Sequence, residues 1–315
     1  MFARFRTHLL LALATALLLA CGAATPALST PRPTVLQPTA PPPIPPGSGA
    51  LIIDHTTTDL SQIPAEWLAQ AKTLAIHFAH TSHGSQLVTG AEWWETQRPD
   101  LDIDVRYGVQ PPGPIDALNL YDGNGYDGDN YITPEMYWAS EDGRAHTNQV
   151  AESGLFNYSM WSWCGQQSDN PIETVDQYLA TLAQFETDHP DMRFIYMTGH
   201  TDGGSATLAG NNQRVRSYAV DHGKVLFDFA DIEQFDPAGT YYPDADDSCP
   251  WCAQWCSDHP ADCTDLPDWG DWCAHTHPLQ CRLKGVAFWW MMARLAGWPG
   301  PDVVTTATYL PVVSR

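Results

Sequence analysis

Apolar positions along the chain follow two different periods. Leu74–Ala79, Asp102–Tyr107, Tyr158–Trp163, Arg193–Thr198 and Lys224–Phe229 are short, apolar or alternating runs. Their length and composition predict strands. A short helix is predicted near Ala65 to Lys72, and another from Gly84 toward Trp94. Asn170-Pro171-Ile172-Glu173 supplies an N-cap, a proline at N1 and a glutamate at N3. Ile172, Val175, Leu179, Leu182 and Phe185 then mark one helix face. Asn211–Val220 reads as a further helix, and Lys284–Leu295 as a last one, apolar on most sides. Strands alternating with helices predict an α/β domain with a parallel sheet. In such sheets ligands bind outside the carboxyl ends of the strands.

The pattern also divides the chain. Arg4 and Arg6 precede an apolar run, Leu9 to Ala20, that stops at Cys21. This reads as an export signal, too short to span a bilayer. Leu18-Leu19-Ala20-Cys21 resembles the lipobox of bacterial lipoproteins, which implies lipidation at Cys21. Thr25–Gly49 holds nine prolines and no acid, the composition of a semi-rigid spacer. The predicted organisation is a leader (1–21), a linker (22–50), one α/β domain (51–300) and a tail (301–315).

Charge narrows the partners. The 315 residues hold 15 Lys+Arg and 37 Asp+Glu, a formal charge of −22. Nucleic-acid binding needs clustered positive charge, so that class is excluded. Contact with a membrane is expected through the lipid anchor only, on the extracytoplasmic side.

The residues after the predicted strands carry the candidate chemistry. His80-Thr81-Ser82-His83-Gly84 follows the first strand, with Ser82 at a strand-to-helix turn. A helix N-terminus there can stabilise an oxyanion, although Ser82 could equally be a cap. Cys164-Gly165-Gln166 and Gly199-His200-Thr201-Asp202 follow two later strands. Asp271, His275 and His277 precede the last helix. A histidine beside a carboxylate is what a nucleophilic serine requires.

Taken together, HTSHG around Ser82, WSWCGQ ending at Gln166, FIYMTGHTDG, and CAHTHPLQC before AFWWMMARLAGW resemble a divergent secreted bacterial branch of the SGNH/GDSL hydrolase superfamily. The resemblance spans about residues 73 to 298. It implies a flavodoxin-like, three-layer sheet with Ser82 as nucleophile and His275 or His277 as base, Asp271 orienting it. Gly84, Gly165, Gln166, His200 and Asp202 would line the oxyanion and substrate site. The chain departs from the family in lacking Gly-Asp-Ser, in carrying Gln166 where the family has an asparagine, and in breaking Asp-x-x-His. Ala274 stands three residues before His277, and Asp271 four before His275.

Besides Cys21 there are seven cysteines. Cys249, Cys252, Cys256, Cys263, Cys273 and Cys281 cluster, and read as a disulfide-rich insertion that leaves Cys164 over. No cofactor is expected: Asp122 to Asp129 is an acidic glycine loop that reads as solvated, with calcium as the alternative. Asp244, Asp246 and Asp247 form a weaker acidic case. His80, His83, His200, Asp202 and His275 also compose a metal-ligand inventory. Trp93, Trp94, Trp138, Trp161, Trp163, Trp251, Trp255, Trp269 and Trp272 fall near these segments and tilt the substrate toward glycans. The resulting expectation is an exported serine esterase acting on a small-molecule or polysaccharide ester. A non-catalytic carbohydrate-binding lipoprotein and a metal-dependent hydrolase are its alternatives.

Overall fold

A computed structural model describes residues 49–107, 113, 116–268 and 272–301. The leader, Cys21, nearly all of the proline linker, Trp269, Asp271 and the tail from 302 lie outside the described residues.

Seven strands form one parallel sheet: β1 (Leu51–Ile53), β2 (Ala75–His80), β3 (Ile103–Tyr107), β4 (Leu118–Asp122), β5 (Tyr158–Ser162), β6 (Arg193–Met197) and β7 (Val225–Phe227). Their order is β1-β7-β6-β5-β2-β4-β3. Eight α-helices accompany them: α1 (Ala65–Ala71), α2 (Ser85–Gln97), α3 (Glu141–Glu152), α4 (Ile172–Asp188), α5 (Ala206–Asp221), α6 (Phe229–Gln234), α7 (Cys252–Asp258) and α8 (Pro278–Leu295). After β2 the chain moves toward β3 and β4, and after β5 it moves the other way, toward β6 and β7. Right-handed crossovers in opposite directions put helices on both faces of the sheet. α8 packs on α1 and α2, whereas α4 packs on β6 and α5. Every residue of β2, β4 and β5 is buried, as expected of strands covered on both sides. Among the described residues no helix is long and apolar enough to cross a membrane.

Three local expectations change. The first residue of α4 is Ile172, and its N-cap is Pro171, with no side-chain cap from Asn170. Ile172 is exposed, and Tyr178 takes its place on the buried face. Trp138, Trp161, Trp163 and Trp251 are buried in the core, not displayed near a site. The indoles of Trp161 and Trp163 donate to the Ile132 and Met197 carbonyls, at 2.8 and 3.0 Å. A central strand has no wet face, so its aromatics fill the interior and find backbone acceptors.

Register decides what meets at the sheet's carboxyl edge. Ala79 lies beside Trp161 and His80 beside Ser162. Ser82, His83 and Cys164 therefore leave adjacent strands side by side. Met160 lies beside Ile195, and the same offset brings Cys164 level with Gly199, next to His200. Gly84 permits the turn to sit close. A Cβ there would lie 2.2 Å from the Cβ of His80 and 2.8 Å from that of Ser162. Both atoms are rigidly attached to their strands. Gly84→Ala is expected to cost on the order of 3 kcal/mol. Denaturant unfolding measures this directly.

Candidate active site

A single residue, His83, organises the site. Its Nδ1 lies 3.2 Å from Cys164 Sγ, and its Nε2 lies 3.1 Å from Asp247 Oδ2. The ring is sandwiched between two other imidazoles. His200 stacks at 3.7 Å between centroids with planes 3° apart, and His275 at 4.4 Å and 14°. Each segment is fixed locally. His83 sits in the 3-10 turn Ser82–Gly84 between β2 and α2. Cys164 is the N-cap of the 3-10 turn Gly165–Ser168. Asp247 is brought in by a crossing of loops, in which Asp202 bridges Asp246 and the Gly203 amide donates to Ala245 O at 3.0 Å.

The electrostatics follow from these contacts. Hydrogen bonding from His83 lowers the Cys164 thiol to about 6. Burial opposes that shift, while Ser82 and the Gly165 amide reinforce it. Burial works to lower His83, but Asp247, Cys164 and the charge of Glu233 outweigh it and raise the imidazole to about 9. The favoured state is a thiolate–imidazolium pair backed by a carboxylate. Burial, and after it the His83 charge, lowers His200 and His275. One imidazolium thus lies between two neutral rings.

The residues expected from sequence are partly gathered here. Ser82 Oγ lies 3.5 Å from Cys164 Sγ, and to a thiolate its hydroxyl is the donor. His275 stacks on His83 from a left-handed backbone position, φ 65°. His200 closes the other face. Gly165 adjoins Cys164, and a Cβ on it would stand 3.8 Å from His200 Nε2. Gln166 turns its amide oxygen onto the Cys164 N–H at 2.7 Å, so that oxygen accepts rather than donates. His277 Nδ1 accepts from the Leu279 amide at 3.1 Å and caps α8. Asp202 Oδ1 accepts from the Ser205 amide at 3.0 Å, ahead of α5.

His83, Cys164 and Asp247 as a linked set escaped the sequence reading. Parity was the available signal for Cys164, because an odd thiol in a cysteine-rich chain invites attention. Among the described residues the six other cysteines stand in three close pairs, Cys249–Cys252, Cys256–Cys263 and Cys273–Cys281, and Cys164 is free. Cys273 and Cys281 bracket His275 in sequence. Asp247 stood out only as part of the acidic run with Asp244 and Asp246, and nothing local linked it to His83, 164 residues away.

Three groups of side chains bring possible metal ligands together: His83 with Cys164 and His200, His83 with Asp247 and His275, and Asp54 with His55 and Asp231. In the first two, stacking sets the imidazole planes parallel or nearly so. In-plane lone pairs on parallel rings do not converge, so one ring must turn before both face one ion. In the acidic glycine loop, Asp122 is buried, with Oδ1 3.0 Å from His80 Nε2. Asp129 Oδ1 accepts from the Tyr131 amide at 2.9 Å. Asp122 Oδ2 accepts from Asn130 Nδ2 at 3.3 Å, while among the described residues Oδ1 has no hydrogen-bond partner.

No protein-family model, no curated protein and no solved structure matches the chain.

Proposed function

We propose that the protein is a hydrolase of acyl esters that works through a covalent thioester on Cys164. The observation that carries this reading is the continuous line from Cys164 Sγ through His83 to Asp247. A thiolate is a strong nucleophile, an imidazolium can protonate a departing alkoxide, and a carboxylate holds the ring in place. The strand order β4-β2-β5-β6-β7 corresponds to the flavodoxin-like 2-1-3-4-5 order. That correspondence supports the SGNH-like resemblance for the fold, with the nucleophile moved from Ser82 to the neighbouring strand end. Export through the leader and anchorage at Cys21 belong to the same reading. Of the tryptophans behind the glycan preference, Trp138, Trp161, Trp163 and Trp251 are core residues, and Trp93, Trp94, Trp255 and Trp272, which are part-exposed, carry what support it keeps.

Covalent labelling discriminates among the nucleophiles. An activated acetyl ester is expected to acetylate Cys164, found by peptide mass mapping. Acetyl on Ser82 would restore the serine mechanism. Stoichiometric zinc in purified protein, with activity lost to chelator, would move the reaction to a metal.

The rate should also follow a bell against pH. The thiolate is lost as pH falls through about 6, and the imidazolium as pH rises through about 9. Maximal kcat/KM is therefore expected between these values. A profile that only rises to an alkaline plateau would speak against the ion pair.

A further inference from the structure

One nitrogen in the site has no work in the thiol–imidazole–carboxylate line. His200 is 8% exposed, and its Nε2 is buried with no hydrogen-bond partner. Its other nitrogen, Nδ1, lies 2.7 Å from the Thr201 carbonyl. A carbonyl only accepts, so Nδ1 carries the hydrogen and Nε2 presents a lone pair. Leaving a buried acceptor unfilled is costly, so the position calls for a donor. A Cβ on Gly165, the residue after Cys164, would stand 3.8 Å from this nitrogen, which places it beside the thiol segment. One ring nitrogen of His200, one of His83 and Cys164 Sγ lie within 4.8 Å of one another. A water bonded to His200 there would stand beside any acyl group carried on sulfur.

We propose that His200 Nε2 is the base that takes the proton of the water attacking the acyl-Cys164 thioester. The inference rests on the thiol reading above and divides the labour between two histidines. In acylation, Cys164 thiolate attacks the ester carbonyl, a C–S bond forms and the C–O bond breaks. The leaving alkoxide takes the proton from His83 Nδ1. In deacylation, water forms a C–O bond to the acyl carbon while its proton moves to His200 Nε2. The C–S bond breaks and its electron pair returns to sulfur as thiolate. The carboxylic acid passes its remaining proton to His83, which restores the ion pair, and His200 releases its proton to solvent. The sum is ester plus water giving carboxylate, alcohol and one proton. His83 Nδ1, having given up its proton in acylation, is the competing base, and the test sets the two histidines against each other.

The test uses p-nitrophenyl acetate with wild type, His200→Asn, His200→Gln and Cys164→Ala. Asparagine keeps a donor for the Thr201 carbonyl but has no base, and glutamine can accept from water without taking its proton. Both His200 variants are expected to release one equivalent of p-nitrophenolate in a burst and to hold one acetyl group on Cys164 in acid-quenched samples. Steady turnover should fall by about 10²–10⁴. Hydroxylamine, which attacks thioesters without a base, should restore turnover. Steady turnover at the wild-type rate overturns the role of His200. So does loss of the burst together with turnover, or an acetyl-enzyme that hydroxylamine does not relieve. Should wild type place no acetyl on Cys164 and Cys164→Ala turn over as wild type does, the thiol reading falls and the role of His200 falls with it.

Discussion

Cys164→Ala is expected to lower kcat/KM toward an activated ester by about four orders of magnitude or more, with little change in thermal stability. Cys164 is the atom to which the acyl group would be joined, so nothing downstream compensates for its loss. The side chain is small and only half-buried, which is why the fold should not notice. Ser82→Ala is the informative control. Ser82 donates to the sulfur, and hydrogen bonds to charged groups contribute about 1.5–3 kcal/mol. Its removal should cost roughly ten- to a hundredfold and shift the acid limb of the pH profile upward. Steady-state kinetics on both variants, beside thermal melts, measure the contrast. If the serine variant is the dead one and the cysteine variant is active, the roles of the two residues are reversed.

Lys284→Met is expected to destabilise the domain by about 3–5 kcal/mol, because it strands a buried carboxylate. Lys284 and Glu233 are 0% and 1% exposed, and Lys284 Nζ lies 2.7 Å from Glu233 Oε1. The ammonium also donates to Gln86, and Gln86 Nε2 donates to the Ala274 carbonyl at 2.5 Å. The other oxygen of Glu233 accepts from the amide and hydroxyl of Thr201, at 2.7 and 2.9 Å. One ion pair thus braces the segments that carry His83, His200 and His275. Removing both charges, as Lys284→Met with Glu233→Gln, should recover much of the stability, since no unpaired charge then remains buried. Urea unfolding of the single and double variants gives the comparison. Equal losses in the two would mean that packing, not charge, dominates at this position.

The alternation of strand and helix was legible because β2, β5 and β6 are buried on both faces and read as continuous apolar runs. β1 and β4 were not. β1 has three residues, and β4 runs straight into the glycine-rich loop at Asp122, whose composition masks the strand. Ser82, Gly165 and His200 were placed at the right edge by the rule that chemistry gathers after parallel strands, and His275 by its place before the last helix. Their partners were not legible, because pairing depends on register. The one-to-one alignment of β2 with β5 sets Ser82 level with Cys164 and so brings the next residue, His83, to the thiol, and no local spacing encodes it. Asp271, expected to orient a histidine, lies outside the described residues, while Asp247 makes the contact with His83. Asp247 arrives through a loop crossing at Asp202 and Asp246 that leaves no periodic trace. His277 looked catalytic through its His-Pro setting, but a histidine before a helix-starting proline is equally suited to accept the first free amide.

The crossing of α2 and α8 has a consequence for how the site can vary. A Cβ on Gly90 would lie 1.8 Å from the Cys281 carbonyl oxygen, and one on Gly285 would lie 2.4 Å from the Gly90 carbonyl carbon. The two helices touch backbone to backbone, with no side chain between them to act as a cushion. α2 starts two residues after His83 and α8 three after His275, so the glycine contact works as a gauge block between two of the stacked rings. A change of a few ångströms in helix sliding would part the rings. Variation at the site is therefore confined to segments other than this contact, which locks the spacing of His83 and His275 from beneath.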